Sequence, residues 1–365
     1  MVFQPLDGTP PTNFPTTPYV YVLYTYDHEL GSAAAPPRWG TPGVLSDPCP
    51  TPPGATGDGC VVSGRLSRLQ AAGNVMTGAE QVLIEDWCQQ YPSHSVGALG
   101  FGSDGALYVT GGDGASFTFT DYGQDGNPVN PCGDPPGGVG ANLTPPTAEG
   151  GALRSQDLRT SGDPVSLDGT VLRVDPATGA GLPDNPLASN PDANARRIIA
   201  HGLRNPFRFA IRPGTSEVWA GDVGWNDSEE INRIVNPTDA TVDNFGWPCY
   251  EGNSRQSGYD GANLSICENL YAQPGADTRP YFAYHHSNKV IPGETCPTAG
   301  HISSCRGPTE EPRLTTSRRM RRPPTKRAIG AYLNGSDLEQ GLWFIVLSLC
   351  SASFPIVSRV LTRRR

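Results

Sequence analysis

Apolar and polar residues alternate over short runs along most of the chain, and glycine or proline interrupts each run before a long helix could form. Tyr19 to Tyr26, YVYVLYTY, is a β-branched and aromatic run that reads as a buried strand. Gly64 to Gln70 and Glu80 to Glu85 read as two strands around a short turn. His94 to Val109, HSVGALGFGSDGALYV, predicts a hairpin that closes at Gly111-Gly112-Asp113-Gly114. Phe207 to Ile211 and Glu217 to Ala220, joined by a Pro-Gly-Thr turn, predict a second hairpin that ends in Gly221-Asp222-Val223-Gly224. Both follow one plan: apolar strand, tight turn, aromatic-containing strand, Gly-Asp loop. Asp113 and Asp222 therefore hold equivalent places. A supersecondary unit repeated among short strands is the sequence signature of a propeller blade, and Leu167 to Asp175 fits another blade strand. Phe119 to Gly151 is rich in Gly, Pro and Asn and predicts a long loop over one face.

Composition sharpens this picture. Among 365 residues, 44 Gly and 37 Pro against 36% hydrophobic residues describe an all-β chain of many turns, which argues against a Rossmann or helical-bundle enzyme. From Arg306 onward basic residues outnumber acidic ones 12 to 4, so the net charge of −9 conceals a strongly acidic body. An acidic body argues against nucleic-acid binding, which needs a basic footprint. Nine Cys are many for a reduced cytosolic protein, and Cys49 with Cys60 and Cys249 with Cys267 each bracket a loop, as disulfides would. Oxidising export, secreted or periplasmic, is the expected setting. MVFQPLDGTP carries no charged n-region or apolar h-region, so the expectation is that the true N-terminus is missing.

The loop Gly221 to Asp227 has exposed carbonyls and glycines, with Asp222, Asp227, Glu229 and Glu230 close by, and could hold a hard cation such as Ca²⁺, although acidic, glycine-rich loops are more often plain solvated turns. Of six histidines, His94 stands just before a strand and is the candidate base, since an imidazole titrates near neutral pH. Arg204 offers a forked, permanent cation for developing negative charge; its structural alternative is pairing with a neighbouring carboxylate. His201 reads as packing, while His285 and His286, being adjacent, point in different directions. No GxSxG, P-loop or dinucleotide fingerprint is present.

HGLRNPFRFAIRP, GDVGWNDSEEIN and NFGWPCYEG, in that order between His201 and Gly252, resemble the glucose/sorbosone dehydrogenase family, soluble pyrroloquinoline quinone (PQQ) dependent sugar dehydrogenases on a six-bladed β-propeller. HSVGALGFGSDGALYVTGGDG resembles the family's catalytic-His segment, although the family often has Asp where Ser93 stands. The resemblance implies that His94 takes the proton of a sugar hydroxyl and that Arg204 and Asn205 line the quinone pocket. It further implies that the carbonyls of Gly224 and Trp225 bind the Ca²⁺ under PQQ, and that Glu229 and Glu230 are ligands of a second, structural calcium. The implied reaction is oxidation of an aldose or related sugar at C1, with an external acceptor reoxidising the cofactor.

The likeness runs from Tyr19 to about Gly300, which divides the chain into an unpatterned segment 1–17, a partial propeller domain 18–300 and a basic tail 301–365. The tail begins with an abrupt shift in composition, as a different reading frame or spliced end would. Within it Leu342 to Val357 is apolar for 16 residues, short of a bilayer span and interrupted by Pro355, so a tail anchor is only a weak expectation. The same scaffold serves extracellular recognition, and the blade strands whose basic residues hold the PQQ carboxylates in the family are not found past Gly300, so the rival reading is a non-catalytic extracellular propeller that binds a glycan or protein partner.

Overall fold

The computed structural model describes residues 2–3, 18–26, 55–56, 59–72, 75–126, 129, 132, 144–161 and 164–286. The tail 301–365 with its apolar stretch, and Cys49 of the expected Cys49–Cys60 pair, lie outside them. Three sheets organise the described residues, antiparallel except where Asp243–Asn244 pairs parallel with Ile198–His201, and the fold is mostly β. The first carries Val2–Phe3, Tyr19–Tyr26, Val62–Ala72 and Val75–Gln89 in that order. The second orders Asp243–Asn244, Ile198–His201, Thr170–Val174, Leu107–Gly111 and Val96–Phe101. The third orders Arg208–Ile211, Val218–Asp222, Ser228–Ile234 and Phe282–His285.

The expected strand at Tyr19–Tyr26 is found with those bounds, and both expected hairpins form. Two differences stand out at this level. Val2–Phe3, within the stretch read as unpatterned, pairs with Tyr21 and Val20. The strands expected at 64–70 and 80–85 instead run Val62–Ala72 and Val75–Gln89, because polar residues continue the ladder beyond the apolar core of each run. His201 closes the strand Ile198–His201.

Strand alternation explains how the sheets stack. Leu107, Val109, Leu172, Val174 and Ile198 of the second sheet pack with Tyr21, Leu66, Ile84 and Trp87 of the first. Their sequence neighbours Tyr108, Val171 and Ile199 point the other way, onto Val218 and Ile234 of the third. The middle sheet is thus buried on both faces, which is why its strands read as continuous apolar runs. Burying each such side chain contributes on the order of 1.5–3 kcal/mol. Val96–Phe101 also touches Tyr19–Tyr26 of the first sheet and Arg208–Ile211 of the third, so the three sheets meet along these strands. This face-to-face stacking of meanders is propeller-like.

A third core lies beside the sheets, where Trp247, Cys249, Tyr259, Leu264, Cys267 and Leu270 pack on Ala152 and Leu153 of the 3-10 turn Gly151–Arg159. The short helices Ser257–Gly261 and Ser265–Tyr271 belong to it, and the Cys249–Cys267 disulfide expected from the sequence closes it. A second disulfide, Cys88–Cys132, ties the Phe119–Gly151 insertion to the edge of the first sheet. Beneath the insertion, the Trp87 indole crosses Gly111, where an added Cβ would stand 1.9 Å from the ring. Its N–H then reaches Asp168 Oδ1 at 2.9 Å, and Asp168 is ion-paired with Arg154 at 2.7 Å, both fully buried.

Candidate active site

Three loops meet at one end of the second and third sheets and are tied together by their backbones. The 3-10 turn Pro92–His94 is held by Gly114 N–H donating to His94 O at 3.1 Å. Asp113 N–H donates to Arg204 O at 2.8 Å, and Gly169 N–H donates to Gly112 O at 2.9 Å. The Gly-Asp loop at the end of Leu107–Gly111 therefore lies between the His94 turn and the Arg204 loop.

His94 is 8% exposed, and its Nδ1 lies 3.2 Å from Oδ1 of Asp113. Burial pushes the Asp113 carboxyl up, but His94, Arg204 and the Ala115 N–H outweigh it, and the group is held below its usual range. An ionised carboxylate only accepts, so Nδ1 carries the proton and donates, and Nε2 is the basic nitrogen. The carboxylate that the segment before His94 lacks, at Ser93, is thus supplied by Asp113 from across the hairpin. The other oxygen, Oδ2, accepts the Trp247 indole N–H at 2.8 Å.

The Arg204 guanidinium donates through Nη1 to the carbonyls of Val223 and Gly224 at 3.0 and 2.7 Å and sits 5.6 Å from the Trp247 ring centre. Among the described residues no ion pair holds it, so its alternative reading as one half of a salt bridge is not what the structure contains. Asp222 fixes the turn instead, accepting the backbone N–H of Arg204 at 3.0 Å and of Asn205 at 2.6 Å. Burial pushes the Asp222 carboxyl up to about 7 despite these bonds. Asp113 and Asp222 do occupy matching ends of two hairpins, yet Asp113 meets an imidazole and Asp222 a backbone turn. The carbonyl of Asn205 accepts the N–H of Val223 at 3.1 Å.

The Gly224 loop is wrapped around one carboxylate. Oε1 of Glu251 accepts the backbone N–H groups of Trp225, Asn226, Asp227 and Ser228 at 2.6–3.1 Å, while Oε2 is buried with no hydrogen-bond partner among the described residues. A Cβ on Gly224 would stand 1.7 Å from Ser228 O, so the turn requires glycine. The Trp225 indole N–H donates to Phe117 O at 2.6 Å, and its ring packs edge-on against Trp247 and Tyr259. Trp225 therefore reaches the His94 side through Phe117, whose ring lies 6.4 Å from the imidazole.

Glu229 and Glu230 go to different partners. Glu229 accepts the Gly224 N–H at 3.3 Å and lies 3.2 Å from His286 Nε2. Glu230 accepts from Gly252 N and from Asn232 Nδ2; burial first, then the Asp222 carboxylate, pushes it up to about 8. Neighbours on a strand face opposite sides, and among the described residues no group of three or more His, Cys, Asp or Glu is arranged to hold a metal ion. His285 is half-exposed near Asp227, and His201 is buried with Nδ1 at 2.9 Å from Ser155 O, the packing role read from its sequence. Asp113, Trp247 and Glu251 were not singled out as site residues by sequence reasoning. Asp113 had a signal, its Gly-Asp hairpin end; Trp247 and Glu251 had only their place in the NFGWPCYEG segment.

Residues 150–293 match the family model described as Glucose / Sorbosone dehydrogenase, in agreement with the resemblance carried by the three motifs. Among solved structures, the chain is similar to the soluble aldose sugar dehydrogenase of Escherichia coli in its apo-form, at 16% identity and a TM-score of 0.41 over 74% of this chain and 55% of that one. It is also similar to a structure described as glucose dehydrogenase, at 15% identity and a TM-score of 0.43 over 74% of this chain and 55% of that one. The chain thus spans about half the length of the solved structures it matches.

Proposed function

We propose that the chain is the core of a PQQ-dependent sugar dehydrogenase that oxidises an aldose or related sugar at C1, its three sheets being blades of a six-bladed propeller. The observation that carries this reading is the buried His94–Asp113 pair beside an Arg204 guanidinium whose hydrogen bonds go to carbonyls alone. A cation so placed, 5% exposed and without a carboxylate partner among the described residues, suits the oxygens of a quinone. The Gly224 and Trp225 carbonyls offer neutral oxygens to a hard dication; Arg204 uses one lone pair of Gly224 O, and a carbonyl has two. PQQ, held by Arg204 and Asn205 with Ca²⁺ on those carbonyls, supplies the two-electron acceptor for the C1 hydride.

The protein's own part is proton handling and charge placement. His94 Nε2 accepts the hydroxyl proton as hydride leaves the same carbon, and Asp113 stabilises the imidazolium that results. Burial of both raises the electrostatic value of that contact. Arg204 faces the negative charge that develops on the acceptor, and the Val223 and Gly224 carbonyls hold it in position without neutralising it. Glu229 shapes the Gly224 loop by accepting its N–H, while Glu230 is engaged by Gly252 and Asn232, so the two do not converge on a second calcium. The Cys88–Cys132 and Cys249–Cys267 disulfides support a secreted or periplasmic setting.

The test is aldose oxidation by the purified chain with PQQ, Ca²⁺ and an artificial electron acceptor. Turnover that is abolished by His94→Ala supports the reading, and turnover unchanged by it overturns the role of His94. A chain whose melting temperature ignores PQQ with Ca²⁺ present, and which oxidises no sugar, would favour the rival glycan- or protein-binding propeller.

A further inference from the structure

We propose that Trp247 is a positioning residue that couples the His94–Asp113 pair to Arg204, an inference that rests on the dehydrogenase reading for its consequence in turnover. Five contacts carry it. The indole N–H donates to Asp113 Oδ2 at 2.8 Å, on the oxygen opposite the one that meets His94. The indole ring lies beneath the Arg204 guanidinium, 5.6 Å from ring centre to carbon. The residue itself is pinned from several sides: its N–H donates to Gly202 O at 2.9 Å, and its carbonyl accepts from Gln156 Nε2 at 2.7 Å and Ser155 Oγ at 3.0 Å. One side chain thus touches both groups assigned to the chemistry, from a segment 134 residues away from Asp113.

The physical consequence follows from the acceptor count of a carboxylate. Oδ1 of Asp113 already serves His94 and the N–H of Ala115, so the indole is the donor that satisfies Oδ2 in a 1% exposed group. A hydrogen bond to a buried charge is strong, and removing its donor leaves the charge more available to the remaining partner. Without the indole N–H, Asp113 holds the His94 proton more tightly. The other charged or titratable groups acting on Asp113 are Arg204, which favours its ionised form, and Asp121, Asp222 and Tyr259, which feel its charge. None of these takes the place of the lost donor at Oδ2.

The test uses the full chain labelled with ¹⁵N in Trp and His, with resonances assigned by substitution, and needs neither PQQ nor sugar. The Trp247 indole N–H resonance is expected to shift with pH at the same midpoint as the His94 imidazole; an indole resonance flat through that titration overturns the proposal. In Trp247→Phe, which keeps an aromatic ring but no donor, the His94 midpoint is expected to move up by about one pH unit. No movement overturns the proposal. In an Asp113→Asn background the same substitution should have no effect on His94, since coupled residues are non-additive; a persisting effect would show that Trp247 acts by packing alone. Tyr259→Phe, which touches the same ring but not Asp113, is the control and should leave the midpoint in place. If the dehydrogenase reading fails in the turnover assay, these titrations still decide whether Trp247 governs the pair. If it holds, the acid limb of kcat/KM moves with the His94 midpoint.

Discussion

Oε1 of Glu251 accepts the backbone N–H of Trp225 at 2.6 Å, and the next three amides in the chain converge on the same atom. Glu251→Leu takes the shared acceptor from four part-buried donors, and each one that water does not reach costs on the order of 1–3 kcal/mol unless the loop rearranges. We expect a loss of at least about 3 kcal/mol in urea denaturation, together with loss of the Arg204 pose that the Gly224 carbonyl fixes. Glu251→Gln keeps one oxygen acceptor and should lose clearly less. Equal losses for the two would show that the amides find other partners.

The tautomer that Asp113 imposes on His94 should govern the rate. Asp113→Asn presents an amide N–H₂ as readily as an oxygen to Nδ1, which favours the imidazole with its proton on Nε2, where the base is needed. We expect kcat to fall by about 10²–10⁴-fold with the melting temperature little changed, measured in the same sugar-oxidation assay. A fall of less than tenfold would place the base elsewhere.

Local pattern made the strands legible and left the site only half so. Tyr19–Tyr26 and the two hairpins could be read because strand periodicity is a local property. Cys249 and Cys267 could be paired because they lie 18 residues apart around one loop. Cys88 and Cys132 could not, since the insertion that joins them has no strand pattern to fix its path. Trp247 and Asp113 meet across 134 residues, and Trp87 and Asp168 across 81, contacts that leave no local trace. Gly151–Arg159 is misleading in the opposite way. GALRSQDLR is polar, yet its residues Gly151 to Asp157 are all buried, because Arg154 finds Asp168 and Gln156 finds Asn244.

The Cys249–Cys267 disulfide closes an 18-residue loop within the core that supports Trp247. By the loop-entropy model a crosslink of that span contributes about 3 kcal/mol. The double substitution Cys249→Ala, Cys267→Ala is therefore expected to lower stability by roughly that amount in denaturant, and a reductant should lower the wild-type melting temperature without affecting this contribution in the variant. A change below about 1 kcal/mol would mean that packing around Tyr259 and Leu270 holds the segment unaided.

Stability should also depend on pH through His201. Its imidazole is fully buried, and burial pushes it down from 6.5 to about 4, with the Arg159 charge adding to the shift and the bond to Ser155 O opposing it. The unfolded chain binds a proton at this residue below about pH 6.5, whereas the folded chain resists it until near pH 4. Between those values the unfolded state holds more protons, so stability is complete above the upper value and is lost as pH falls through the window. At about 1.4 kcal/mol per unit, the contribution lost by pH 4 is roughly 3 kcal/mol. His201→Gln keeps a donor for Ser155 O but cannot titrate. Urea midpoints measured from pH 7 to pH 4 should therefore fall more steeply for the wild type than for this variant, whatever its absolute stability. Parallel curves would show that the imidazole is charged in the folded chain, which its burial against Ser155 forbids.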